Sequence, residues 1–306
     1  MKGARRAWDA ALRISPAQPV YRRRSSARLA ALAYHGIDDP GRFEEHLDHL
    51  RRVARPVSLD DVIEAARGQK VLPRSAVLIT FDDGDRSVLE IAMPMLRERG
   101  MPSVAFVVAG LLDTDIPLWT AEAAELVAVG VRGGRVPSPP EVVRTLKRLP
   151  DAERLARMGE LRRAAPNGTR LTPQLRRDEL RILESAGVAV GNHSLTHPCL
   201  TRCPEDKVVH EVSSAHDILT EALGREPRSF AYPDGDRDEG VRGVLASCGY
   251  EAAFLFDHRL SPVPPPDPLG ISRVRVSSGA SLDRLRIVLS GLHPAVHRLR
   301  GVDERQ

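Results

Sequence analysis

Two adjacent carboxylates in this chain have the residue types and the setting for metal or acid-base chemistry. Asp82 and Asp83 directly follow an apolar run that ends at Phe81. Two buried carboxylates repel each other and lose their hydration, so a folded protein normally keeps such a pair with a cation or a proton between them. The pair also suits a helix N-cap followed by a turn, because Gly84 comes next, and both interpretations stay open at this point.

A pair of histidines four residues apart could supply further ligands. His193 and His197 follow another apolar run, residues 188–191. Two neutral imidazoles and one carboxylate oxygen form a suitable three-ligand set for zinc or a similar divalent ion, with positions left for water and substrate. Spacing alone is weak, because His293 and His297 repeat it. We interpret that second pair as a solvated helix face, since it lies in a basic tail with no strand-end carboxylate nearby.

The elements that would position these residues alternate between short apolar runs and helical patterns, which is typical of parallel strands joined by helices. A helix is expected to begin at Pro173, with Thr172 as its N-cap, and another is expected over residues 204–223 before Gly224. Seven strands are expected, at residues 29–34, 76–80, 103–108, 188–191, 229–232, 252–255 and 273–276.

Polar residues follow four of these strands. His35 follows the first strand, the Asp pair the second, the histidine pair the fourth, and a turn with Pro233, Asp234 and Gly235 the fifth. The carboxyl ends of parallel barrel strands meet on one face, where barrel enzymes assemble their sites. A rigid turn there could aim a backbone N–H at an oxyanion. We therefore expect one site built from four strand ends.

The rest of the chain divides around this pattern. Residues 112–170 break the alternation, and we interpret them as an insertion of the kind that forms the rim or lid of a site. The expected organisation is a basic N-terminal arm over 1–28, a barrel over 29–280 that carries the insertion, and a basic helical tail over 281–306.

Composition limits the classes of function. Hydrophobic residues make up 42% of the 306 residues and charged residues 28%, which is typical of a globular protein. The charge balance is 45 − 41 = +4, and with 4% aromatic residues it does not predict a nucleic-acid partner. No apolar run is long enough to span a bilayer or to form a cleavable signal, and three cysteines indicate no disulfide framework. We expect a protein of the cytoplasm or of the periphery of the cytoplasmic membrane, where the basic termini could contact anionic lipid.

The motifs resemble those of the polysaccharide deacetylases, also called carbohydrate esterase family four, which include chitin and peptidoglycan deacetylases. Thr-Phe-Asp-Asp-Gly at 80–84 is similar to the first family motif, and His-Ser-Leu-Thr-His-Pro at 193–198 is similar to the second. The resemblance extends over residues 29–276. It implies an α/β fold, a distorted seven-stranded (β/α) barrel, in agreement with the seven expected strands.

The resemblance implies a role for each matching residue. Asp83, His193 and His197 would hold one divalent metal, zinc or alternatively cobalt, manganese or nickel. Asp82 would be the general base, and the backbone N–H of Asp234 would bind the oxyanion. The implied reaction is the hydrolysis of N-acetyl groups from amino sugars of a glycan, in which a metal-activated water attacks the acetyl carbonyl.

The sequence departs from the family pattern at three places. Ala231 occupies the position of an Arg that orients the catalytic Asp in many members, and Asp234 occupies that of a common Tyr. A late Leu-x-His motif is missing, because Leu292 and His293 lie in the tail. The Phe-Ala-Tyr-Pro version of the third motif resembles bacterial subgroups that act on exopolysaccharide. We therefore expect His35 to be the general acid that protonates the leaving amine.

Three further residues are expected to contact substrate. They are Tyr232 and Pro233 in the third motif and Trp119 in the insertion, whose ring could stack on a sugar or instead hold the insertion on the barrel. Two other functions stay open. One is a pseudoenzyme that keeps the metal and binds sugar without turnover. The other is a glycosidase that uses Asp82 with a second carboxylate, which would leave both histidines unexplained.

Overall fold

The sheet contains all seven expected strands. The computed structural model describes residues 12, 14–130, 138–165 and 169–292. One short strand was not expected, β2, whose two residues are too few to form a sequence pattern. The strands are β1 (Ala30–Tyr34), β2 (Arg55–Pro56), β3 (Ala76–Phe81), β4 (Ser103–Val107), β5 (Val188–Asn192), β6 (Ser229–Ala231), β7 (Ala252–Phe254) and β8 (Val274–Arg275).

The strands form one curled parallel sheet in the order β7-β6-β5-β4-β3-β1-β8, with β2 beside β3. Its two ends are linked by Ile271, which lies just before β8. Ile271 donates its N–H to Ala253 O at 2.8 Å and accepts the N–H of Leu255 at 2.8 Å. The expected distorted (β/α) barrel is therefore confirmed.

The helices that surround the sheet follow ordinary terminal signals. Asp39 caps the helix that follows β1 by accepting the N–H of Arg42, and Gly224, with φ of 75°, ends the longest helix. The helices are α1 (Ala17–Ser25), α2 (Pro40–Val53), α3 (Leu59–Ala66), α4 (Met93–Glu98, after a π turn at Val88–Ala92), α5 (Trp119–Gly130), α6 (Pro139–Arg148), α7 (Asp151–Ala164), α8 (Arg177–Ser185), α9 (Glu205–Leu223), α10 (Glu239–Ser247) and α11 (Leu282–Leu289).

The period-two geometry of the strands determines which side chains reach the site. Ile79 and Phe81 on β3 pack outward against the helices, whereas Leu78 belongs to the apolar cluster that includes Phe106 and Phe254. Continuing the same alternation places Asp82 on the side of Leu78, inside the barrel. The strand register thus determines that the first of the two carboxylates points inward.

One expected helix begins later than predicted. The structure starts α8 at Arg177 rather than at Pro173. Residues 172–175 instead pair with other loops: Thr172 N–H donates to Asp115 O at 2.8 Å, and Leu175 N–H donates to Gly84 O at 3.1 Å. These tertiary hydrogen bonds satisfy the backbone in an extended path, so the local helix signal is overridden.

The insertion forms a three-helix layer, α5 to α7, with its own small apolar cluster around Trp119, Leu126, Leu146 and Met158. At the other end of the chain, α11 buries Leu285 and Val288 in the main core, so this part of the expected tail packs on the barrel. His293 and His297 lie outside the described residues. All three cysteines carry free thiols. In the described ranges, no helix combines the length and the apolar character needed to cross a bilayer.

Candidate active site

Asp83, His193 and His197 converge at the carboxyl end of the barrel. Oδ1 of Asp83 lies 3.5 Å from Nε2 of His193 and 3.6 Å from Nε2 of His197. The three ligand atoms all lie within 4.8 Å of one another, and both imidazoles are buried. The structure therefore brings together the three residues for which the sequence predicts a metal site.

A backbone carbonyl orients one of the two imidazoles, while two other donor atoms of the site lack a partner in the described part of the chain. His193 donates Nδ1–H to the carbonyl oxygen of Ala231 at 2.7 Å, which leaves Nε2 free to act as a ligand. Oδ1 of Asp83 and Nδ1 of His197 are buried without a hydrogen-bond partner among the described residues. An unsatisfied buried carboxylate oxygen facing two imidazole nitrogens is what a divalent cation would complete, so the residues fit the implied metal.

The loop that carries both histidines is held by buried side chains. Asn192 Oδ1 accepts the N–H of Ser194 at 2.7 Å, and Ser194 Oγ accepts the N–H of His197 at 2.9 Å. Glu211 on α9, fully buried, accepts the N–H of Thr196 at 2.7 Å. The backbone at Asp83, Ser194 and His197 has positive φ, a conformation that non-glycine residues adopt only when the surroundings enforce it. The hydrogen bonds from Asn192, Ser194 and Glu211 hold the histidine loop in this conformation.

Asp82 makes a buried, bidentate ion pair with Arg273. Nη1 of Arg273 donates to Oδ1 at 2.7 Å and Nη2 donates to Oδ2 at 2.9 Å. Arg273 is fully buried beneath the site, where Nη1 also contacts Thr80 Oγ1 and the guanidinium lies 5.2 Å from the ring centre of Phe106. The forked geometry fixes both oxygens of Asp82, so this carboxylate is oriented even though position 231 holds no arginine.

The charges around the two carboxylates keep both ionised. Burial raises the pKa of Asp82, but Arg273 and His193 outweigh it and hold the pKa below its usual value. Burial also raises the pKa of Asp83, but its contact with His193 and the nearby His35 and His197 hold it well below the usual range. The barrel end thus carries two anions side by side.

The two histidine ligands respond differently to this setting. Burial lowers the pKa of His193, but Asp82 and Asp83 more than offset it and raise the pKa overall. Burial and then the neighbouring His193 lower the pKa of His197 to about 4. The site therefore attracts one positive charge, as a proton on His193 or as a cation that replaces it.

His35 approaches the triad from the opposite side. Its Nε2 lies 3.9 Å from Oδ2 of Asp83, the oxygen that does not face the other histidines, and its side chain is 40% exposed. The ring packs edge-on against Phe256 at 5.9 Å between centres. An exposed imidazole at the rim can exchange protons with solvent, which His193 and His197 cannot do as readily.

Asp234 has a side-chain role that the sequence did not indicate. Its backbone has φ of 56°, and its turn is closed by the N–H of Gly235, which donates to Tyr232 O at 2.8 Å. The carboxylate forms an ion pair with Lys147 of the insertion and accepts the Sγ–H of Cys199 at 3.1 Å. The turn that would present the oxyanion N–H is therefore fixed by a residue of α6.

The three residues expected to contact substrate through their side chains are buried instead. Tyr232 is fully buried, with its hydroxyl donating to Leu269 O at 2.8 Å, and Pro233 is buried beside it. Trp119 is 7% exposed, and Arg154 covers its ring at 4.6 Å. Its Nε1–H donates to the carbonyl of His197 at 2.7 Å. This geometry disfavours direct sugar contact by these side chains, and for Trp119 it favours the alternative of holding the insertion on the barrel.

Arg273, Glu211 and Lys147 are the residues that the sequence argument missed. The sequence could have indicated the role of Arg273. A charged residue at the start of an apolar strand needs a buried partner, and the buried carboxylate of Asp82 needs a cation. Glu211 had a weaker signal, as a carboxylate between Val208 and Val212 on the apolar face of a helix. Lys147 had none, because only the packing of α6 onto the barrel brings it to Asp234.

Solved structures share this fold over most of the chain. A Streptococcus pyogenes deacetylase, PplD, solved in complex with acetate, matches with a TM-score of 0.61 and 16% identity, covering 86% of this chain and 98% of that one. IcaB from Ammonifex degensii matches with a TM-score of 0.60 and 22% identity, covering 86% and 97%. At these identities the likeness concerns the fold.

Sequence comparison identifies relatives over shorter segments. A poly-beta-1,6-N-acetyl-D-glucosamine N-deacetylase of Escherichia coli K12 is 42% identical over 98 residues, which cover 28% of this chain and 15% of that protein. Chitin deacetylase 1 of Cryptococcus neoformans is 31% identical over 64 residues, 21% of this chain and 14% of that one. These matches thus span about a seventh of the relatives' length. The profile described as polysaccharide deacetylase matches residues 69–253, well over half of the chain, so the chain belongs to the polysaccharide deacetylase family.

Proposed function

We propose that this protein is a metal-dependent carbohydrate deacetylase that hydrolyses N-acetyl groups on amino sugars of a glycan. The observation that carries the proposal is the pairing of two adjacent, differently held carboxylates: Asp82 locked by Arg273, and Asp83 facing two buried imidazoles. With this arrangement, Asp82 would be used for proton transfer and Asp83 for binding the metal. A structural ion pair alone would need neither the two histidines nor the unsatisfied oxygen of Asp83.

Asp83, His193 and His197 would hold one divalent ion, zinc by donor type, with cobalt, manganese or nickel as alternatives. When bound, the ion would supply Lewis-acid polarisation of the acetyl carbonyl and lower the pKa of a water molecule. The three residues fit this task because their donors converge and because the second ring nitrogen of His193 is held by Ala231 O.

Asp82 would remove the proton from the attacking water as the oxygen adds to the carbonyl carbon. Arg273 keeps it ionised and immobile, so its oxygens are aimed without losing rotamer freedom in the reaction. The backbone N–H of Asp234 would donate to the oxyanion that forms. His35 would give a proton to the amine nitrogen as the carbon–nitrogen bond breaks, releasing acetate and the free amino sugar.

The relatives and the motif together support a proposal for the substrate class. The 98-residue match is to an enzyme of poly-beta-1,6-N-acetyl-D-glucosamine, and the third motif resembles exopolysaccharide subgroups. We therefore propose an N-acetylated bacterial exopolysaccharide or a related glycan as the substrate. The insertion, attached through Trp119 and Lys147, is in a position to limit the approach of the polymer.

Acetate release tests the proposal directly. The protein is assayed on oligomers of β-1,6-linked and β-1,4-linked N-acetylglucosamine and on peptidoglycan fragments, before and after chelation and after addition of single divalent metals. We expect acetate from at least one glycan, loss on chelation and recovery with metal. A metal-loaded protein that releases no acetate from any substrate, yet binds the glycans, would contradict the proposal and favour the pseudoenzyme.

A further inference from the structure

A second pocket lies at the amino end of the barrel, opposite the candidate active site. Ala30 and Ala76, the first residues of β1 and β3, form part of its floor, and its volume is about 400 Å³. Helices α1, α2 and α11 contribute its walls. Nothing in the proposed reaction uses this end of the molecule.

The pocket is lined by unbalanced positive charge. Arg22, Arg28 and Arg286 stand around it, one each from α1, the segment after α1, and α11. Arg286 pairs with Asp283, and Arg28 donates to the carbonyl of Leu260 at 3.3 Å. The guanidinium of Arg22 has no ion pair or hydrogen bond with any residue in the described part of the chain. Arg22 and Arg28 therefore have no carboxylate partner among the described residues, and Arg286 has further N–H donors besides the one that contacts Asp283.

The inner wall carries a buried polar side chain that makes no hydrogen bond with the described residues. His49 on α2 is 7% exposed and lines the pocket. Within the described ranges, neither ring nitrogen makes a hydrogen bond. Burial and then the charges of Arg286, Arg52 and Arg22 lower the pKa of His49 to about 4. At neutral pH the ring is thus uncharged, and it can donate a hydrogen bond to an anion that enters among the surrounding arginines.

We propose that this lower pocket binds a phosphate group, either as a free phosphate or as the headgroup of an anionic phospholipid. Guanidinium groups match the oxygens of phosphate with paired N–H donors, and several cations around one cavity favour a ligand with more than one acceptor oxygen. His49 at the inner wall would add a further hydrogen bond. Ser25 and Ser290 also line the pocket, but their hydroxyls already donate to backbone carbonyls of their own helices.

The test measures inorganic phosphate binding by calorimetry, at constant ionic strength maintained with chloride. Arg22→Gln and Arg286→Gln should each weaken binding by about tenfold, because a hydrogen bond to a charged group is lost. Arg24→Gln is the matched control, since Arg24 lies on the same helix, is exposed and does not line the pocket. All three arginines are partly or fully exposed, so these variants are expected to fold. Acetate release should be unchanged in all of them.

A second arm identifies the source of the phosphate. Sedimentation with phosphatidylglycerol vesicles is compared with phosphatidylcholine vesicles for the same variants. If the binding of inorganic phosphate depends on Arg22 and Arg286, the pocket is a site for the free anion. If only the binding of phosphatidylglycerol vesicles depends on them, the pocket is a site for the headgroup. Either result supports the proposal. The proposal would be overturned if phosphate bound no more tightly than chloride and the protein bound phosphatidylglycerol vesicles no more than phosphatidylcholine vesicles. It would also be overturned if Arg24→Gln weakened binding as much as Arg22→Gln and Arg286→Gln. Neither result depends on whether the protein is a deacetylase.

Discussion

The barrel end and the insertion contribute to the candidate site in different ways. In the described part of the chain, the barrel supplies the groups proposed for the chemistry: Asp82 and Asp83 after β3, His193 and His197 in the loop after β5, His35 after β1 and the backbone N–H of Asp234 after β6. The insertion supplies two contacts to the site: the Trp119 N–H donates to the backbone carbonyl of His197, and Lys147 forms an ion pair with the carboxylate of Asp234. Neither contact puts a side chain of the insertion among the ligands.

The difference indicates that the barrel carries the reactive groups and that the insertion only adjusts their surroundings. Strand ends are fixed by the sheet, so ligands placed there keep their spacing even when the surrounding loops change. Helices added between strands can vary in sequence and length while reaching the site through one or two hydrogen bonds. The comparison predicts large losses for changes in the barrel set and small ones for changes in the insertion.

The largest effect is expected from removal of a metal ligand. Replacing Asp83, His193 or His197 by Ala removes one of three donors, so metal retention and acetate release should both fall to background, as measured by elemental analysis and by acetate assay. His210→Ala is a matched control, because this histidine is exposed on α9. Full metal occupancy in the triple variant would place the metal site elsewhere.

Asp82→Asn should separate proton transfer from ligation. The variant is expected to keep its metal and to lose turnover by a factor of about a hundred to ten thousand, which is typical of a general acid or base. Turnover and metal content are measured on the same preparation. Unchanged turnover would remove Asp82 from the mechanism and weaken the contrast between the two carboxylates.

Arg273→Gln should affect stability as well as activity. It leaves the buried Asp82 without its cation, and breaking a buried ion pair in this way costs about 3–5 kcal/mol in the free energy of unfolding. The double variant with Asp82→Asn removes the uncompensated charge and should recover part of that loss in urea denaturation. If the loss of unfolding free energy in the double variant equals the sum of the losses in the two single variants, Asp82 and Arg273 are not coupled.

His35→Ala should discriminate between substrates by leaving group. An amide needs a proton on nitrogen as the bond breaks, whereas an acetate ester of a good leaving group needs little, so kcat/KM should fall much more on the amide. The side chain is 40% exposed, and its removal should leave the fold intact. Equal losses on both substrates would limit His35 to shaping the pocket.

The smallest effects are expected in the insertion. Trp119→Phe removes the N–H to the carbonyl of His197 and keeps an aromatic ring, and Lys147→Met removes the charge that holds Asp234. Losing one such hydrogen bond costs about 0.5–1.5 kcal/mol, so kcat/KM should fall about two- to tenfold. A loss as large as that of Asp82→Asn would show that the insertion takes part in the chemistry.

The sequence predicted those features that are encoded close together along the chain. Each strand is a short apolar run, and the three ligands follow two of these strands within five residues, so the barrel and the triad could be inferred from local patterns. Arg273 was not assigned a role because its partner is 191 residues away in the chain. Tyr232 was expected in the site from its motif, but its side chain points into the core. The late start of α8 depends on hydrogen bonds to distant loops, which no local propensity encodes.

The position of Arg273 in the chain has a consequence for biosynthesis. The ribosome delivers Asp82, Asp83 and both histidines well before residue 273, since β8 is the last strand of the sheet. Until that segment docks, the inward-pointing carboxylate lacks its guanidinium and the link through Ile271 is open. A nascent chain can therefore gather the ligands early but can bury the charge of Asp82 favourably only after residue 273 has been synthesised, which couples maturation of the centre to closure of the barrel.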